Sequence, residues 1–342
     1  MRIVIVGGGP AGYESALVAA QLGAQVTVID RDGIGGACVL TDCVPSKTLI
    51  ATSDRVTALR DAPRVGVGSS GEVLVDIAKV DRRIKDLARQ QSDDITERLV
   101  REGVTVLVGR GRFTPEQPPR AHRLEVVADD GSATGTVEAD VVLLATGGTP
   151  RVLPTAVPDG ERILSWRDMY DLADVPNHLI VVGSGVTGAE FASAYSEIGV
   201  PVTLVSSRDR VLPNEDADAA DVIEKVFTRR GGTLVKQARA AGVRRTTDGV
   251  VVDIVDGREV HGSHALMCVG SVPNVEGLGL EHAGVELDEH GFIGVDRVSR
   301  TNVPSIYAAG DCTGVLLLAS VAGMQGRIAM WHALGELSLI HI

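Results

Sequence analysis

A chain of 342 residues has room for two or three domains of ordinary size. Its hydrophobic content of 44% supports packed cores rather than disorder, and with aromatics at 3% those cores fall to Ala, Val, Leu and Ile. The net charge of −12 argues against a nucleic-acid surface, and no run reaches the ~18 apolar residues of a membrane span.

The opening, MRIVIVGGGP, is too short an apolar run for a secretory signal and ends in glycines. A cytoplasmic protein with no nucleic-acid or membrane partner is the expectation, and in that compartment a disulfide is more often catalytic than structural. Residues 2–6 predict a buried strand, 11–22 a helix and 26–30 a second strand, the spacing of a parallel βαβ unit. Helices follow over about 45–60 and 79–102. The second of these is strongly charged, with Ile84, Leu87, Ile95, Leu99 and Val100 as its apolar stripe. Segments 104–108, 123–128 and 136–144 predict an antiparallel meander. At Thr149–Pro158 the composition turns to Pro and Thr, which suggests a domain crossing. The opening pattern then repeats, with strand 179–182, helix 187–198 and strand 202–205.

Each strand–helix turn carries Gly-x-Gly-x-x-Gly: Gly7, Gly9 and Gly12 in the first, Gly183, Gly185 and Gly188 in the second. In this setting the first glycine makes the turn and the second lets a pyrophosphate approach the backbone. The third lets helix and strand pack closely, and the helix N-terminus faces the phosphate. One match in a glycine-rich chain is weak; two in the right context are strong. Asp30 ends the second strand, where an acid binds ribose hydroxyls. The equivalent position of the second unit is Ser206, followed by Arg208 and Arg210, a pattern that suits a 2′-phosphate or a merely solvated turn.

The segment GGACVLTDCVPSK holds Cys38 and Cys43. On the residues alone they are a redox pair, half of a metal site, or two packed thiols. Zinc fits least, because Cys268 and Cys312 are isolated and no second close pair completes four ligands. In a regular helix, residues five apart lie roughly 8 Å apart at Cα, beyond the ~4.4–6.8 Å that a disulfide spans. A bonded pair therefore requires an interrupted helix. Pro45 favours a helix starting near Cys43, where a thiol gains a lower pKa.

Two dinucleotide turns plus a cysteine pair resemble the FAD-dependent pyridine nucleotide–disulfide oxidoreductases. Other segments of that family appear in order: Gly35–Lys47 as its active-site segment, Ala145-Thr146-Gly147-Gly148, Val269–Asn274 and Thr301–Asp311. The branch most resembled is that of dihydrolipoyl dehydrogenase and NAD(P)H–quinone reductase. The resemblance implies an α/β fold of two Rossmann-like three-layer domains, each with a parallel sheet and an antiparallel meander. It implies a discontinuous FAD domain, 1–148 plus 271–336, and an NAD(P) domain, 149–270. For FAD it implies Gly7, Gly9, Gly12, Asp30, Gly36, Lys47, Gly111, Thr146, Gly147, Gly310, Asp311 and Ala319. For NAD(P) it implies Gly183, Gly185, Val186, Gly188, Ser206, Arg208 and Gly270, with NADPH slightly favoured.

Electrons would pass from NAD(P)H through FAD to a Cys38–Cys43 disulfide and on to a small-molecule acceptor, dihydrolipoamide/lipoamide, another disulfide or a quinone. Cys43 would lie nearest the flavin, and Lys47 would be a buried lysine held by Glu190. Ala37 and Asp42 depart from the family's usual threonine and glycine, and a carboxylate beside Cys43 would raise its pKa. That keeps the quinone-reductase alternative open, beside an inert flavin-binding fragment or redox sensor. The family's His–Glu pair and dimerisation domain are expected beyond Glu336. The last six residues, 337–342, are expected to be an artefact of truncation, so that His332 and His341 take no catalytic role.

Overall fold

The runs RIVIV and QVTVID carry β-branched residues at nearly every position, which suits strands covered on both faces. The computed structural model describes residues 1–68 and 73–337 and builds from these runs two units. The first comprises Met1–Leu40, Ala88–Thr149 and the chain from Val272 onward; the second comprises Thr41–Leu87 and Pro150–Ser271. In chain order the helices are α1 (Pro10–Gln21), α2 (Gly36–Leu40), α3 (Cys43–Asp61), α4 (Ile77–Arg101), α5 (Val186–Ile198), α6 (Ala217–Arg229), α7 (Leu280–Ala283) and α8 (Ala319–Ala333).

In the first unit five parallel strands lie in the order Ile306–Ala308, Val141–Leu144, Arg2–Val6, Gln25–Asp30 and Thr105–Val108. Three antiparallel strands accompany them: Arg110–Phe113, His122–Val127 and Ala133–Ala139. The meander is thus shorter than expected. Residues 105–108 join the parallel sheet, and the expected strand 136–144 breaks at Asp140. The Asp140 carboxylate accepts from the Arg2 backbone N–H at 2.7 Å and from its guanidinium at 2.8 Å, and beyond it VVLL is wholly buried in the parallel sheet. Helix α8 lies close on α1. A Cβ on Gly326 would meet the Ala11 carbonyl oxygen at 2.5 Å, so only glycine allows that approach.

The second unit repeats the plan. Its parallel strands lie in the order Thr233–Val235, Val202–Val205, Leu179–Val182, His264–Met267 and Ile163–Leu164. Its antiparallel trio is Ala240–Arg245, Val250–Ile254 and Glu259–Gly262. Helices α3 and α5 run side by side in the same direction, joined by polar contacts at three levels. Lys47 meets Glu190 at one end. Further along, Ser53 donates to Glu197 Oε2 at 3.0 Å, and Arg60 donates to the Glu197 carbonyl at 2.8 Å. Glu197 is buried and also takes Ser193 and Arg230.

Helix α4 is amphipathic along a stripe that differs from the expected one. The buried positions are Ile77, Asp81, Ile84, Ala88, Ser92 and Leu99, whereas Leu87 and Val100 are exposed. The spacing is helical, but three members are small or polar, so hydrophobicity alone misplaces the stripe.

Candidate functional site

The first glycine turn is fixed by its own backbone. A Cβ on Gly7 would meet the Ala145 carbonyl oxygen at 2.2 Å, and one on Gly12 the Gly7 carbonyl oxygen at 1.9 Å. Gly7 also has φ +105°, which favours glycine. Gly9 is different. Its φ of −68° suits any residue, and a Cβ there would find nothing nearer than Gly36 Cα at 4.0 Å. The fold therefore does not require glycine at position 9; it leaves open space before the α1 N-terminus, as a pyrophosphate would need. Gly36, at φ +56°, is itself held against Gly9, where a Cβ would fall 2.8 Å from Gly9 Cα.

Asp30 braces this turn. Its Oδ2 accepts from the Gly8 N–H at 2.6 Å, and its Oδ1 from the N–H groups of Asp32 and Gly33 at 2.9 and 2.7 Å. Burial raises its pKa in spite of these three donors. At the C-terminal end of the same sheet, the Thr146 hydroxyl is buried, with the weakly interacting Cys312 thiol beside it and no stronger hydrogen-bond partner among the described residues. Gly147, at φ +69°, has open space at its Cβ direction. A weakly partnered hydroxyl and two unobstructed glycines fit a bound FAD on this edge. Gly310 sits at φ +83° before Asp311, its N–H donating to Gln325 at 2.8 Å, and Ala319 opens α8. Gly111 has a packing explanation instead: a Cβ would meet Val6 at 2.9 Å.

The second turn has the same construction. Cβ atoms on Gly183 and Gly188 would meet carbonyl oxygens at 2.0 and 1.9 Å, while Gly185, with φ −72°, faces open space ahead of Val186 and α5. A cleft of about 740 Å³ opens there, bordered by Gly183, Gly185, Arg208 and Gly270. Ser206 is buried and does not border it; its hydroxyl lies 2.7 Å from that of Ser184. Two arginines that the sequence reading passed over, Arg151 and Arg239, line the cleft with Arg208. Arg239 lies far from Arg208 in sequence and reaches the same edge because Gln237 and Ala238 donate to the carbonyls of Arg208 and Ser206, at 2.9 and 2.8 Å. Arg151 arrives by pairing with Gly270 at 2.9 Å. Cys268 packs under the turn, and burial pushes its thiol pKa up.

Helix is interrupted at Thr41 and Asp42, between α2, which holds Cys38, and α3, which opens with Cys43. Both thiols are partly exposed. Lys47, one turn into α3, donates to both Glu190 oxygens at 2.8 and 2.9 Å. Its side chain is 56% exposed, so the lysine expected to be buried is not. Burial works against its charge, but Glu190 outweighs this and raises its pKa. Asp42 occupies the N-cap of α3 without a side-chain capping bond. Burial and Glu190 push its carboxyl up against the pull of Lys47. Cys312 is fully buried, its thiol pushed up to about 11 by that burial, and serves packing. His332 is engaged by the Tyr307 hydroxyl at 2.8 Å. His341 and residues 338–342 lie outside the described residues.

These features agree with the comparisons. The family model "Pyridine nucleotide-disulphide oxidoreductase" matches residues 1–326. The chain is 60% identical over 340 residues to a Mycobacterium tuberculosis protein named NAD(P)H dehydrogenase (quinone), covering 98% of this chain and 69% of that one. It is 34% identical to the dihydrolipoyl dehydrogenase of Chlorobaculum parvum, with 98% and 71% covered. The crystal structure of LpdA from M. tuberculosis superposes with a TM-score of 0.94 at 60% identity, covering 98% of this chain and 73% of LpdA. The HOCl-induced flavoprotein disulfide reductase RclA of Escherichia coli, 24% identical, shares the fold at a TM-score of 0.82, with 99% and 72% covered. No described helix is long and apolar enough to cross a membrane. With two dinucleotide turns, the cysteine segment and a family match over nearly all its length, the chain belongs to the pyridine nucleotide-disulphide oxidoreductases.

Proposed function

We propose that this protein is an NADPH-preferring flavoprotein that reduces quinones, by the overall reaction NADPH + H⁺ + quinone → NADP⁺ + quinol. The observation that carries the dinucleotide part is shared by both turns. The outer glycines are walled in by backbone, and the middle one opens onto space the fold does not need. Gly7, Gly9, Gly12, Asp30, Thr146, Gly147 and Asp311 would hold FAD. Gly183, Gly185, Gly188 and the arginine-bordered cleft would hold the nicotinamide nucleotide, with Arg208 and Arg239 on its 2′-phosphate. FAD, when bound, supplies two-electron acceptance from the nicotinamide and onward transfer to the acceptor. Lys47 stays protonated through Glu190 and offers a fixed positive charge near Cys43.

The quinone reading is supported by the name of the M. tuberculosis relative. Asp42 supports it too, because a carboxylate before Cys43 disfavours the thiolate that disulfide exchange requires. A second reading, a disulfide reductase working through Cys38 and Cys43, is favoured by Cys43 standing at the first position of α3. Steady-state NADPH oxidation by the flavin-loaded protein, with menadione against lipoamide, separates the two. Turnover with lipoamide but not menadione would reject the quinone reading.

A further inference from the structure

The face of α3 that carries Cys43 and Lys47 continues past them. Val44, Thr48, Ala51 and Arg55 follow along it at helical spacing. Opposite stand Lys79, Val80 and Arg83 of α4. Between the walls run two hollows of about 410 and 730 Å³ that share Ala51 and Arg83, so they form one trench. One end is bordered by Cys43 and Lys47, the other by Arg55, Ala58 and Lys79. From residue 43 to residue 58 a helix rises about 22 Å. The combined space is of the order that binds small molecules.

The charge of this trench is opposite to that of the chain, whose net charge is −12. Its borders carry Lys47, Arg55, Lys79 and Arg83 against a single acid, Asp54. Lys47 is matched by Glu190 and Lys79 by Asp76. Arg55 and Arg83 have no ion pair among the described residues, and both are exposed. Two guanidiniums without an ion pair among the described residues thus face one hollow. They are suited to a planar oxyanion, which arginine binds through paired hydrogen bonds. Between them and Cys43 the floor is apolar or small, Val44 and Ala51, which suits an aromatic ring.

We propose that the trench binds the electron acceptor, a planar quinone that carries an anionic group. Its ring lies at the Cys43 end and its anion between Arg55 and Arg83. This rests on the quinone reading above and adds the charge class of the acceptor. The test uses the FAD-loaded protein and its variants Arg55→Glu and Arg83→Glu, with anthraquinone monosulfonate as the anionic probe and menadione as the neutral one. Sulfonate binding is first measured by equilibrium dialysis without NADPH. Each variant is expected to weaken it at least tenfold, the worth of one charge-assisted contact, and added salt is expected to weaken wild-type binding. In turnover, the KM for the sulfonate should rise similarly, and the KM for menadione should change far less. Sulfonate binding that ignores both charge reversals, or an equal loss with menadione, overturns the trench. No NADPH oxidation with either quinone, alongside charge-dependent sulfonate binding, would instead overturn the quinone reading and leave an anion site.

Discussion

Asp81 occupies the buried stripe of α4, between Ile77 and Ile84, with 5% of its surface exposed. Neither carboxylate oxygen has a hydrogen-bond partner among the described residues. Lys85, one turn on, is paired with Asp171 instead. Burial pushes the Asp81 carboxyl up to about 6, with Lys85 opposing and Asp171 assisting. The folded value lies above the ordinary 3.8, so between about pH 4 and pH 6 the folded state holds more protons than the unfolded one. Stability from this group therefore falls as pH rises through that window, and above it the full penalty is present. A shift of about 2 pKa units at ~1.4 kcal/mol each gives about 3 kcal/mol. Asp81→Asn keeps the shape and removes the ionisation. It should be about 2.5 kcal/mol more favourable, relative to wild type, at pH 7.5 than at pH 4, where part of the penalty is already present. The assay is urea unfolding followed by Trp166 fluorescence, since Trp166 is buried in the same unit. Comparing the two proteins at each pH cancels the other titrating groups. An equal effect of the substitution at both pH values would show that Asp81 is ionised at no cost, and that something unseen satisfies it.

Four further outcomes follow from the site. Gly12→Ala, whose Cβ would sit 1.9 Å from a carbonyl oxygen, should destabilise by roughly 1–3 kcal/mol or more. Gly185→Ala should leave the melting temperature nearly unchanged yet weaken NADPH binding about tenfold or more, read by nucleotide titration; equal stability losses in both would remove the ligand explanation of the middle glycine. Arg208→Ala and Arg239→Ala should each raise the KM for NADPH about tenfold and leave NADH unaffected; a matching change with NADH would move these arginines away from the 2′-phosphate. Replacing Cys43 by serine should abolish the long-wavelength absorbance of the reduced protein, and replacing Cys38 should preserve it. The reverse pattern would exchange their roles.

What the sequence makes legible here is what backbone sterics dictate. Gly7, Gly12, Gly183 and Gly188 are glycines because carbonyl oxygens lie within 2.2 Å of where their Cβ atoms would fall, and such constraints repeat wherever the same turn is built. The helices after them begin and end within about two residues of their predicted limits. Less legible are features that depend on chain segments meeting. Nothing in the spacing of Arg208 and Arg239 announces one cleft, because a pairing of backbone around Gln237 brings them together. The break at Asp140 involves Arg2, at the start of the chain. Asp81 and Ser92 escape a search for apolar periodicity because they are polar, yet they fill buried stripe positions. Ser92 meets that cost by donating to the Ile34 carbonyl at 2.6 Å; Asp81 has no such partner. Local rules broken without local compensation concentrate where a protein does something besides fold. On that ground the middle glycines, Gly9 and Gly185, separate function from scaffold better than the outer ones do, because the outer glycines would be needed by the fold even if no nucleotide ever bound.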